Sequence, residues 1–496
     1  MKKYILIIAV ILAASVSSCK KDFLSLEVNP NEPSVTTPQL TLAGALAFVP
    51  NIEVNDYVIY DIWSGYWSWN GGVVPPASIF QYEFTNTDFS PTIWTDLYFN
   101  ATNFNNLITA TTKDASLHNF TAIGMIMKAW DFENLVDNFN DVPYSQAFQP
   151  STILFPKYDK AADIYADLGK QLDAAIALIG TSGSATSPGA SDVMFGGNMG
   201  LWKQFAETLK LRLAITASNV PATESAIAAG LPAAGTGYLT TDALINPGYA
   251  NTAGQINPYY GGFVFDANGN PGASAQVYRA NAYSINLLKN NNDPRLEQEF
   301  SAVQTPGADG DYRGNVFGDA INILGTQYIS GAGPAYSKGP TQSSILMLAA
   351  ESYFLQAEAV ARGYITGDAA ALYADGITAD FAYLGLTSAQ ATTYIAANPY
   401  PTSGSLNGQV SAIITQKYIA FLNGYDGLTA YNDYRRTGFP NLPSSVDPAA
   451  LSSHLPSRIF YPLSEAQSNP TQYAAAGGAT ISQFTSQIFW DTRTGL

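Results

Sequence analysis

The chain has 496 residues, 47% hydrophobic and only 12% charged, with 23 basic against 39 acidic side chains and a net charge of −16. That balance excludes nucleic acid and an anionic membrane face as main partners, while the apolar share is ample for a core. Two histidines far apart in sequence, one cysteine and no HExxH, GxSxG or Walker A spacing leave serine-triad, thiol and zinc catalysis poorly supplied. With so few charges, the surface must be carried by Asn, Thr, Ser, Gln, Gly and Tyr, which suits a neutral, hydroxyl-rich ligand.

Lys2 and Lys3 precede an apolar run from Tyr4 to Val16, too short to span a bilayer and sized for a signal-peptide core. Ser17 and Ser18 then lead to Cys19, the single cysteine. The arrangement resembles a bacterial lipobox, and implies a signal peptide over 1–18 and acylation of Cys19. Ordinary secretory cleavage is the alternative, and would leave Cys19 an odd thiol. Residues 19–39, with Pro30, Pro33 and Pro38, lack either periodicity and read as an extended tether. Residues 40–496 read as one domain.

Helical spacing starts near Pro38. In Tyr57–Gly72, Tyr57, Tyr60, Trp63 and Tyr66 recur every three residues, the spacing of one buried helix side. Trp67 and Trp69 break that spacing and run into Asn70-Gly71-Gly72, which places them at a helix end or loop, where an aromatic is harder to bury. Helices are expected over 91–112, 117–139 and 160–179. After a Gly/Ser linker at 181–190, Asn198 is expected to cap a helix over 201–217. Between about 218 and 340 the helical signal fades into Gly, Asn, Pro and Tyr, predicting a loop-rich insert with a few short strands. Further helices are expected over 345–362, 368–383 and 410–422.

Three constellations carry candidate chemistry. Asp266, Asn268 and Asn270 match the first positions of a calcium loop, but Pro271 stands where the glycine is needed and Val277 where the closing glutamate is. The motif is incomplete, so no cofactor is expected and the segment reads as a hairpin turn, with a differently built calcium site as the alternative. Glu351 and Glu358, seven apart on one helix, could be read as a glycosidase pair. A buried pair held by Arg362 or by Arg435 and Arg436 fits the spacing better. The aromatics remain: a sugar ring packs its C–H face on a flat π system while its hydroxyls need short polar partners. Tyr66, Trp67, Trp69, Asn70, Tyr259 and Tyr260 are the candidate ligand contacts.

Seven segments in order carry a family resemblance: DNFNDVPYSQA from Asp137, PKYDKAADIYADL from Pro156, DVMFGGNMGLWKQFAETLKLRLA from Asp192, NDPRL from Asn292, ILMLAAESYFLQAEAVARGY from Ile345, QKYIAFLNGYDGLTAYNDYRRTGFP from Gln416 and RIFYP from Arg458. Together they resemble the SusD/RagB lipoproteins, most closely the SusD-like nutrient-binding group of Bacteroidetes-type bacteria. The resemblance implies a mainly α fold of tetratricopeptide-like helical hairpins with an irregular loop-rich region. It also implies a non-catalytic role at the cell surface: binding an oligosaccharide or oligopeptide, anchored to the outer membrane through Cys19, and delivering it to a SusC-like TonB-dependent transporter. A surface glycan hydrolase using carboxylates is the reading from another class.

Overall fold

The computed structural model describes residues 36–181, 183–307, 310–422 and 426–494. The signal peptide read at 1–18, Cys19 and the tether up to residue 35 lie outside the described residues.

Thr37 accepts from the Leu40 amide, and Pro38 stands in the first turn of α1 (Pro38–Asn51), where its missing N–H is no loss. The expected aromatic helix follows as a π-helical turn and α2 (Val58–Trp63). Tyr57, Tyr60, Trp63 and Tyr66 are all buried, as their spacing requires. Two long helices, α3 (Ser90–Thr111) and α4 (His118–Phe139), form the first hairpin. Almost every residue of α4 is buried, which marks a central helix surrounded by others. Gly124 allows the close crossing: a Cβ there would come within 2.9 Å of Ile108 on α3.

The second hairpin pairs α5 (Ala161–Thr181) with α6 (Met199–Thr216), and Asn198 caps α6 by accepting from the amides of Gly200 and Leu201. After the short α7 (Pro221–Ala228) the chain enters the insert. A third hairpin joins α8 (Ala349–Arg362) to α9 (Ala369–Tyr383), followed by α10 (Ser388–Ala397), α11 (Leu406–Ala420) and α12 (Gly427–Thr437). The scaffold is thus a succession of tetratricopeptide-like helical hairpins, with α6 and α11 both packed on α8. One cluster of buried apolar side chains runs through it from Leu42 to Trp490.

Several findings differ from the sequence reading, among them the short helices Pro258–Phe263, Ala273–Val277, Ala282–Asn290 and Leu296–Glu299 within the segment expected to hold loops and a few strands. Residues 344–347 are a strand, because Ser344–Met347 pairs antiparallel with Ala243–Ile245 before the helix begins at Ala349. Helix α10 and helix α12 were not expected; α10 starts on a capping box between Thr387 and Gln390, a local signal present in the sequence. The strands at Trp67–Trp69 and Tyr278–Ala280 pair across more than two hundred residues, a contact no local pattern announces. A third short pair joins Val142–Pro143 to Tyr158–Asp159.

Charged side chains buried between the hairpins fix their mutual positions. Arg212 on α6 donates to Glu133 on α4 at 2.7 and 3.0 Å and to Glu351 on α8 at 3.3 Å, with Asp426 at the start of α12 3.8 Å away. Glu358 on α8 accepts from Arg362 at 2.7 Å and from Arg436 on α12 at 2.9 Å. Burial would raise its pKa, but Arg436 and Arg362 hold that carboxyl down to about 2. Glu351 and Glu358 therefore face different arginines, and neither is open to solvent. Arg295, from the Asn292-Asp293-Pro294-Arg295 motif, is fully buried and donates to Asp293, Asp380 and Gln416 at 2.6, 2.8 and 2.8 Å. Its guanidinium lies 4.7 Å from the Tyr394 ring centre.

Candidate functional site

The insert folds back over the end of the scaffold that carries the Trp67–Trp69 strand (β1). Strand β2 (Tyr278–Ala280) pairs with it, Trp67 opposite Ala280 and Trp69 opposite Tyr278. Asn70, next in the chain, donates its side-chain amide to the Gln276 carbonyl and to Thr326 Oγ1, both at 2.8 Å. Asn315 works in the same way from the other side, donating to the Trp69 carbonyl at 2.7 Å and accepting from the Leu324 amide at 2.9 Å. Gly71 closes the junction: its N–H donates to the Leu324 carbonyl, and a Cβ there would stand 2.8 Å from that backbone. Three segments, 70–76, 264–277 and 312–328, are thereby stapled into one loop cap by two asparagine amides.

The sequence-predicted contacts sit mostly beneath this cap. Tyr66 is fully buried, donates its hydroxyl to the Tyr418 carbonyl at 3.2 Å and packs on the Tyr418 ring. Trp67 is 1% exposed and stacked on Phe263 at 5.3 Å, with Phe300 at its edge. Trp69 is 5% exposed between Phe80 and Tyr278. The expectation that these two tryptophans resist burial at a helix end is corrected: strand pairing with β2 and the returning insert cover both. Asn70 is buried too, with its amide spent on the staple. Tyr259 is buried on Phe263 and lines a crevice of about 30 Å³, room on the order of one or two waters and not a sugar ring. Tyr260 alone of the six keeps a partly open ring, beside Phe265 at 6.4 Å.

What the cap shows to solvent is a different set. Phe265 is 44% and Tyr328 39% exposed, and Val74 and Ile321 are almost fully so. Alongside the helix Ala282–Asn290 a cleft of about 330 Å³ is lined by Asn286, Lys289, Tyr312, Arg313 and Leu324. Lys289 reaches across it to donate to the Tyr312 carbonyl at 3.3 Å. The cleft thus offers amide, phenol and N–H groups beside an apolar wall, the mixture that orients a polyhydroxylated ligand. Tyr312 and Tyr328 escaped the sequence reading because each stands singly in an aperiodic segment, and Phe265 because it is one of four rings between Tyr259 and Asp266 that spacing does not tell apart.

Asp266 accepts from the amides of Asn268 and Asn270 at 2.8 and 2.9 Å, and Phe265 bridges Pro271, so the segment is the hairpin turn expected. Among the described residues no helix is long and apolar enough to cross a membrane.

Comparison with known proteins gives a consistent result. Residues 30–462 match the profile of a SusD-like family described as starch-binding and associating with the outer membrane. No curated protein sequence matches the chain. Among solved structures, a chitin-binding protein is similar at 24% identity with a TM-score of 0.76, covering 92% of this chain and 100% of its own. A chitin-binding SusD homolog from Flavobacterium johnsoniae is similar at 25% identity and a TM-score of 0.75, covering 91% and 99%. A SusD-like protein from Bacteroides thetaiotaomicron, at 21% identity, has a TM-score of 0.74 over 92% and 98%.

Proposed function

The chain belongs to the SusD-like family, whose members are outer-membrane-associated binding proteins and not enzymes, and from that premise we propose that it captures an oligosaccharide at the cell surface and delivers it to a SusC-like TonB-dependent transporter. The observation that carries this reading is the family match over residues 30–462. The loop cap supports it: exposed Phe265 and Tyr328, half-buried Tyr260 and the cleft at Tyr312 offer aromatic faces together with hydrogen-bonding groups, the amide of Asn286 and the cationic Lys289 and Arg313 among them. In this reading Trp67, Trp69 and Asn70 act one layer down, holding the binding loops in place instead of touching the sugar. A rigid floor of this kind reduces the ordering cost of binding. The tether from Cys19, acylated and held in the outer membrane, would let the scaffold move over the transporter while the cap closes on its cargo.

The hydrolase reading loses its residues, since Glu351 is engaged by Arg212 and Glu358 by Arg362 and Arg436. A calorimetric panel of starch-derived and chitin-derived oligosaccharides and of oligopeptides tests the proposal on the full chain. Saturable heat from a saccharide, with the saccharide recovered intact, is the expected result. Binding confined to peptides, or release of shortened sugars, would reject it.

A further inference from the structure

On the helical scaffold, away from every segment of the loop cap, α3 presents Trp94, Tyr98, Thr102 and Asn106 at intervals of four, one stripe along the helix. They form one wall of a groove of about 390 Å³ whose other wall includes Phe148, Pro143 and Glu465. Trp94 and Tyr98 have ring centres 4.9 Å apart, and Tyr98 and Phe148 6.5 Å. The Tyr98 hydroxyl donates to the Pro143 carbonyl at 2.6 Å, fixing that ring. Phe148 is held at φ 61°, a conformation that a bulky side chain adopts only where its surroundings impose it.

Glu465 faces this aromatic row with no cation of its own; the cation resident at the row, Lys128, lies over Phe148 and donates to Asn105 at 3.0 Å. One carboxylate oxygen accepts from the Tyr158 hydroxyl at 2.6 Å, and among the described residues no lysine, arginine or histidine forms an ion pair with it. Lys157, its nearest basic candidate along the chain segment that carries Tyr158, is engaged by Asp159 at 3.1 Å. Burial pushes the Glu465 pKa up, partly offset by the Tyr158 hydrogen bond. Aromatic faces attract cations, and an uncompensated carboxylate beside them adds charge complementarity. One ring of the row already shows this preference: Lys128 Nζ stands 5.4 Å over Phe148. Next to the groove, Leu154 and Phe155 are 75% and 57% exposed.

We propose that this groove accepts a lysine or arginine side chain presented by a polypeptide with apolar neighbours, its cation seated between the Trp94, Tyr98 and Phe148 rings and Glu465. A sugar is the poorer fit at this end, where the walls are rings and prolines, the Tyr98 hydroxyl is already spent on the Pro143 carbonyl and the remaining polar group, Glu465, is anionic. Thr102 and Asn106 lie further along the stripe, Asn106 about 18 Å from Trp94 at 1.5 Å per residue. The apolar pair Leu154 and Phe155 would receive the residues flanking the basic one. The inference does not depend on what the loop cap binds.

The test uses the full chain labelled with 5-fluorotryptophan, with the Trp94 resonance assigned by its loss in Trp94→Phe. Acetyl-Leu-Lys-Leu-amide should shift that resonance saturably, while acetyl-Leu-Gln-Leu-amide should not. Glu465→Gln, which keeps an acceptor for the Tyr158 hydroxyl and should melt like the parent, should weaken the lysine peptide at least about tenfold. Equal response to the glutamine peptide would overturn the proposal, as would no response to either. Butylammonium binding as tightly as the peptide would show a site for free amines, and a response to maltotetraose alone a sugar site; each rejects a polypeptide partner.

Discussion

Replacing Arg212 with methionine lowers stability by about 3–5 kcal/mol. The guanidinium is buried and faces Glu133, Glu351 and Asp426, contributed by α4, α8 and the start of α12. Removing it leaves three buried carboxylates with no other cation at hydrogen-bonding distance among the described residues. Burial, opposed by Arg212, already raises Glu133 and Glu351 from 4.5 to about 7 in the parent. A carboxyl whose folded pKa lies above its unfolded value binds more protons when folded. Its contribution is therefore present below about 4.5 and lost as pH rises through about 7. Without Arg212 this dependence steepens, so the deficit of Arg212→Met should be larger at pH 8 than at pH 5. Urea unfolding at the two pH values measures it; a deficit under about 1 kcal/mol, or one independent of pH, would mean that the network does not hold the hairpins.

Trp67→Ala is expected to cost about 3–5 kcal/mol, as for other fully buried tryptophans. Its ring is stacked on Phe263 and edged by Phe300, so truncation opens a cavity where the insert meets β1. Saccharide binding should fall with it, as a consequence of loosening the floor under segments 264–277 and 312–328. Tyr260→Ala and Tyr328→Ala make the contrast: both rings are partly open, and their loss should leave stability within about 0.5 kcal/mol while weakening binding. Thermal melts and calorimetry on the three variants separate the roles. A Trp67→Ala protein that melts like the parent would return Trp67 to the surface.

The scaffold was legible in the sequence because its signals are local. The boundaries of α3 and α4 lie within one residue of those read from periodicity, and Asn198 caps its helix as expected. The three-residue spacing of Tyr57, Tyr60, Trp63 and Tyr66 identified a buried side correctly. Glu358 found its arginine partners among those anticipated, Arg362 and Arg436. The site was less legible because its geometry is non-local. Trp67 and Trp69 looked hard to bury only while their strand partner, more than two hundred residues on, was unseen. Asn70 has the chemistry of a sugar ligand, yet the same amide serves equally as a staple once Gln276 and Thr326 come within reach. The Trp94, Tyr98, Thr102 and Asn106 stripe was present as a four-residue spacing, but spacing alone does not say whether a stripe faces a core or a groove.

Hydrogen exchange of the full chain, with and without the tightest-binding oligosaccharide from the panel, tests the central claim most directly. The account predicts slowed exchange in segments 70–76, 258–271 and 312–328, with the amides of α4 and α6 unchanged. Slowing elsewhere with none in those three segments would contradict it.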